Sequence, residues 1–209
     1  MNLELEIESI FGGKAFLRPL FYSYPGGLRF ELSETGGVIE QFLSALRKST
    51  KICSDIFIGE AKLVACVRIH SGSNRFAHRA TIHALRSAGI DIPTERSVWS
   101  EEIDPDEWFC ENEPEYWINV AFEAPVTLLQ AILWCALAKD FAVIQPKPRC
   151  DFYLFNLKRR IMAFPYDDRG MDVIGPNTSL LLQLYRHHRA YLLDHDRPLM
   201  DVTFAKHAI

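Results

Sequence analysis

Six aspartates near the C-terminal end are the residues whose type and spacing best suit chemistry. Asp167, Asp168 and Asp172 surround a turn, and Asp194, Asp196 and Asp201 gather near the end of the helical pattern that follows. Clustered carboxylates hold Mg²⁺ or Ca²⁺ through hard oxygen ligands. Asp167, Asp168, Asp172, Asp194 and Asp196 are therefore the candidate catalytic residues of a metal-dependent hydrolase or phosphodiesterase. The same residues have a structural reading. Asp168-Arg169-Gly170 suits a hairpin connection, with Asp favouring the turn and Gly supplying a positive φ, and Arg169 or Arg197 would then pair with an aspartate to lock helix against sheet.

A second candidate lies upstream. From Trp99 to Glu115 the chain carries eight carboxylates and no Lys or Arg, with Pro105 and Pro114 breaking any long element. The expectation is an exposed loop, in which Glu101, Glu102, Asp104, Asp106 and Glu107 surround the aromatics Trp108 and Phe109. Charged residues around exposed aromatics match an interface rim around its anchors, so this loop is the candidate binding face.

The other reactive side chains form weaker patterns. No H-E-x-x-H occurs among the seven histidines. His78 and His83 would stand about 140° apart on a helix, and the neighbours His187 and His188 would point to different sides. No metal and no cofactor is called for. The five cysteines are odd in number, contain no C-x-x-C and mostly sit in apolar runs, as reduced core thiols do. Nucleophile-elbow, P-loop and dinucleotide-binding glycine patterns are absent. Lys147, Arg149, Lys158, Arg159 and Arg160 lie beside Phe152, Tyr153 and Phe155, but these read as solvated turns beside core aromatics rather than a nucleic-acid track.

The elements that would position these residues form an α+β pattern. Leu28–Leu32 alternates as a strand, and Val38 to Leu46 carries an apolar stripe at helical spacing. Lys62–Ile69 reads as a central strand, and Asn74 is placed to cap a helix over Arg75 to Ala88 that stops at Gly89. Tyr116–Phe122 alternates, Val126–Ala138 is a buried helix, and Phe152–Leu157, Ile161–Tyr166 and Met171–Ile174 form an antiparallel meander. Asn177 caps a last helix in which Leu181, Leu184, Tyr185, His188, Tyr191 and Leu192 recur at three and four residues, which Pro198 ends or interrupts and which packs on that meander. The expected whole is a mostly antiparallel sheet with about four main helices, one domain over residues 1–209 with a seam near 99–115.

The run Tyr166-Asp167-Asp168-Arg169-Gly170-Met171-Asp172-Val173-Ile174, then Leu184-Tyr185, then Leu193-Asp194-His195-Asp196-Arg197 with Met200-Asp201 and Phe204, resembles the signature of a bacterial family known as domain of unknown function 3885. The resemblance spans about Asp151 to Phe204. It implies a bacterial intracellular protein and supplies no reaction.

Composition narrows the function class. The net charge of −4 leaves no basic footprint for phosphate backbones and argues against nucleic acid. The N-terminus lacks a signal-peptide pattern, and the longest apolar run is too short to span a bilayer. The expectation is a cytoplasmic, non-enzymatic, immunity-type module that meets a protein partner with a basic surface, with the aspartate-based enzyme as the alternative. Its oligomeric state does not follow from the sequence.

Overall fold

The structure is a computed structural model that describes residues 2–71, 77–103 and 115–204. Asn2 caps α1 (Leu3–Phe11), and α2 (Leu20–Ser23), β1 (Leu28–Glu31), α3 (Val38–Ile56) and β2 (Lys62–Ser71) follow. Next come α4 (Ala77–Ser87), β3 (Ser97–Glu102), β4 (Tyr116–Pro125) and α5 (Leu129–Ala138). The described residues end with β5 (Asp151–Asn156), β6 (Ile161–Pro165), β7 (Gly170–Ile174), α6 (Thr178–His187) and α7 (Arg197–Phe204). The seven strands make one sheet in the order β1-β7-β6-β5-β2-β4-β3, and every pairing is antiparallel. The expected α+β class is the observed one.

Because strand side chains alternate between faces, the sheet sorts its sequence into two cores. One face carries Leu28 and Phe30, Ala65 and Val67, Phe122, Phe152 and Leu154, and Met171 and Val173. Helices α3, α5 and α6 cover it, together with Leu85 of α4 and Met200 and Phe204 of α7. Helix α5 is apolar nearly all round because it is covered on most sides, with Trp134 set edge-on against Phe42 of α3 at 4.6 Å. The other face carries Val64, Cys66, Ala121, Tyr153, Phe155, Met162, Phe164 and Ile174. Among the described residues, α1 and the chain leading from it cover this side, through Leu3, Ile7, Phe11, Ala15 and Leu20. A thinly covered sheet face leaves room for a cleft.

Several local expectations need correction. The four main helices expected stand as α3 to α6, and the described residues add the shorter α1, α2 and α7. Ser97–Glu102 is strand β3 rather than loop, since it pairs along β4 from Ser97↔Ala121 to Glu102↔Tyr116. Val126–Leu128 is a 3-10 turn that leads into α5. Asn177 does cap α6, accepting from Leu180 N at 3.1 Å, but the helix stops at His187. Asn74, Asp104, Asp106, Glu107, Trp108 and Phe109 lie outside the described residues. Phe152, Tyr153 and Phe155 are fully buried, so they offer no base-stacking surface. The free thiols of Cys53, Cys66, Cys135 and Cys150 are buried too, and burial raises their pKa values, which makes them poor nucleophiles.

Candidate functional site

The register of the sheet lines up a polar row on the thinly covered face. Trp99 of β3 stands opposite Asn119 of β4, Asn119 opposite Arg68 of β2, and Arg68 opposite Asp151 of β5. Farther along the same face Phe164 of β6 stands opposite Asp172 of β7, and Asp172 opposite Arg29 of β1. Together with Phe16, Arg18 and Trp117, these strands enclose a cleft of about 1030 Å³ beside α1. That volume lies at the upper end for ligand sites, which run to roughly 1,000 Å³.

Each cation in the cleft is matched from inside the fold. Arg68, almost fully buried, donates to the Phe16 carbonyl at 3.0 Å and to Glu101 at 2.7 Å, with its guanidinium over the rings of Phe16 and Trp117. The other oxygen of Glu101 accepts from Trp99 Nε1 at 3.0 Å and Asn119 Nδ2 at 2.9 Å. Arg18 bonds to Asp151 and to the Tyr153 hydroxyl, and lies over Phe164 at 4.9 Å. Burial pushes the Asp151 carboxyl up, but Lys139 at 2.7 Å and Arg18 outweigh it and hold the group below its ordinary range.

Arg29 has the tightest setting. It grips Asp172 with two bonds, at 2.8 and 3.0 Å, and reaches Asp196 at 3.3 Å. The rings of Phe21, Tyr22 and Tyr166 lie 5.0, 5.0 and 5.4 Å from its charged carbon. Asp172 also accepts from Phe21 N at 3.1 Å, and Asp196 from the Tyr22 hydroxyl at 2.6 Å. Burial raises the Asp172 carboxyl above its ordinary pKa even with Arg29 against it.

The six aspartates therefore part company. Asp172 and Asp196 converge, but on the guanidinium of Arg29. Asp167 accepts from the backbone of Arg169 and Gly170 within its own turn, and Arg169 pairs with it at 3.3 Å on the surface. Asp168 faces Ser33, Asp194 pairs with Arg197 at 2.7 Å, and Asp201 accepts from Tyr185. Arg197 also donates to the carbonyls of Arg189 and Leu192. The clamp between the Leu193–Asp196 segment and the sheet is thus Arg29, a residue of the alternating β1 strand that sequence reasoning passed over. Arg68 was passed over too, although one arginine inside an otherwise apolar central strand is a signal of a polar face.

Gly170 also plays a different part from the expected one, since its φ is not positive. A Cβ built there would overlap the hydroxyl and ring of Tyr166. Gly170→Ala should push Tyr166 away from Arg29 and the cleft wall at a cost of about 1–3 kcal/mol. Thermal denaturation checks this, and in a Tyr166→Ala background the added cost should vanish. An equal cost in both backgrounds would rule the clash out.

A family model described as domain of unknown function (DUF3885) matches residues 3–196. The chain belongs to that family. The match begins at α1 and runs through the whole sheet and the Arg29–Asp172–Asp196 clamp, while Arg197, Met200, Asp201 and Phe204 of the C-terminal signature lie beyond it. No curated protein and no solved structure matches this DUF3885 chain. Among its described residues no helix is long and apolar enough to cross a membrane.

Proposed function

We propose that this DUF3885 protein is a non-enzymatic binding module of the immunity type, which holds a segment of a basic protein partner in the cleft beside α1. The supporting observation is the distribution of charge and aromatic surface around that cleft. Its walls are Phe16, Trp99, Trp117 and Phe164, while its arginines are matched by Asp151, Asp172, Asp196 and Glu101. Glu4, Glu8 and Glu102 line it with no cation partner among the described residues. The acidic run Glu101 to Glu115 starts at this lip. Partly exposed Phe16, Trp99 and Trp117 that anchor beside the buried Phe164, with carboxylates free of cation partners that steer, suit a basic segment.

The aspartate-based hydrolase is the weaker reading, because the two aspartates that do meet already share an internal cation. The buried, unpaired thiols accord with work in a reducing bacterial cytosol.

A pull-down from the native host should recover a basic protein, and association kinetics of that pair test the site. Glu8→Lys with Glu102→Lys should slow association about 10-fold or more at low salt and much less at high salt. Trp117→Ala should speed dissociation, with a loss of roughly 2 kcal/mol in affinity. Unchanged kinetics in both variants would remove the cleft from the binding face.

A further inference from the structure

The face of the sheet away from the cleft carries a second cluster. In a continuous helix His187 and His188 would diverge by about 100°. Helix α6 instead ends at His187, and His188 takes φ −109° and ψ 25° before a 3-10 turn over Arg189–Tyr191. The two rings stack at 4.6 Å with 25° between their planes. His187 Nδ1 and His188 Nε2 then lie 2.7 and 2.8 Å from the same carboxylate oxygen of Asp55, in the last turn of α3. The expectation that these histidines face different sides fails because the helix ends between them.

Aim and access are both set by burial. The His188 side chain is wholly buried, stacked on Tyr191 and edge-on to Phe30, while Asp55 is 31% and His187 62% exposed. The three donor atoms fall within 4.8 Å of one another.

We propose that Asp55, His187 and His188 form a site for a divalent transition metal ion of the zinc class, with solvent as the fourth ligand. Two imidazole nitrogens and one carboxylate suit a borderline cation, whereas Mg²⁺ and Ca²⁺ favour all-oxygen shells. Tetrahedral ligand atoms around zinc stand about 3.3 Å apart, so the present contacts must open by roughly 0.5 Å. The exposed His187 at a helix end can supply that movement. His188 Nδ1 has no hydrogen-bond partner among the described residues. A missing outer partner weakens such sites about 10- to 100-fold, so affinity is modest. A bound ion would tie α3 to α6.

The test uses the whole metal-free protein and Co²⁺ or Zn²⁺ alone. One equivalent of Co²⁺ should give visible absorption of tetrahedral type and be displaced by Zn²⁺. Saturating Zn²⁺ at about 100 times its dissociation constant should raise the melting temperature by roughly 5–10 °C. His187→Ala and Asp55→Asn, both at partly exposed positions, should each weaken binding at least about 10-fold. No binding up to millimolar metal, or both variants binding like the wild type, would overturn the assignment. Glu8→Lys with Glu102→Lys acts on the opposite face and should leave the metal titration unchanged, so the cleft and the metal site stand or fall separately.

Discussion

Arg29→Ala should destabilise the protein by about 3–5 kcal/mol, because removing one partner of a buried ion pair leaves charge uncompensated. Here two carboxylates are stranded at once, since Asp172 is 1% and Asp196 2% exposed. The melting temperature of a chain of this length should fall by roughly 6–20 °C. Arg29→Lys should lie between, since an ammonium keeps the charge but not the two-pronged grip on Asp172.

The loss should also depend on pH in a set direction. Burial already raises Asp172, and loss of the guanidinium raises it further, so the folded variant retains a proton that the unfolded chain releases near pH 3.9. A carboxyl raised in the folded state contributes stability that is fully present below the unfolded pKa and is lost as pH rises through the folded one. The deficit relative to wild type should therefore shrink as pH falls from 7 toward 4. Denaturant unfolding at the two pH values measures it, and a deficit that stays constant, or one below 1 kcal/mol at pH 7, would contradict the clamp.

Phe155→Ala should cost a similar amount, about 3–5 kcal/mol, as a large-to-small change at a site with no exposure. Its ring meets Phe11 of α1 at 5.4 Å and Phe16 at 6.2 Å, so it joins the sheet to the single thin layer on the cleft side. Amide exchange should show α1 released more than α3, because α3 packs on the other face. Uniform loosening of both helices would show that α1 is not held through this contact. Phe155→Leu should lose much less, since most of the buried volume remains.

These two residues show what periodicity can and cannot reveal. Strands β1, β2 and β4 to β7 were legible because alternation and short apolar runs between turn residues are local signals, and the meander followed from the short connections. Strand β3 was not, since Ser97–Glu102 has few apolar residues and is a strand through its pairing with β4. Helix α1 is hidden because Leu3, Leu5 and Ile7 alternate with Glu4 and Glu6, the period of a strand. The aspartates were noticed because they cluster in sequence, yet their partner Arg29 lies 143 residues from Asp172.

What the sequence alone settles is the local and additive part: an α+β pattern, an acidic balance and membership of a family through a run of residues that can be read letter by letter. What only the tertiary structure decides is which polar groups meet. Trp99, Asn119, Arg68 and Asp151 come from four strands and share a row only because of register. Asp55 meets His187 and His188 only because α6 ends where it does. Register and helix ends are set by packing of the whole sheet, which no short window of sequence contains.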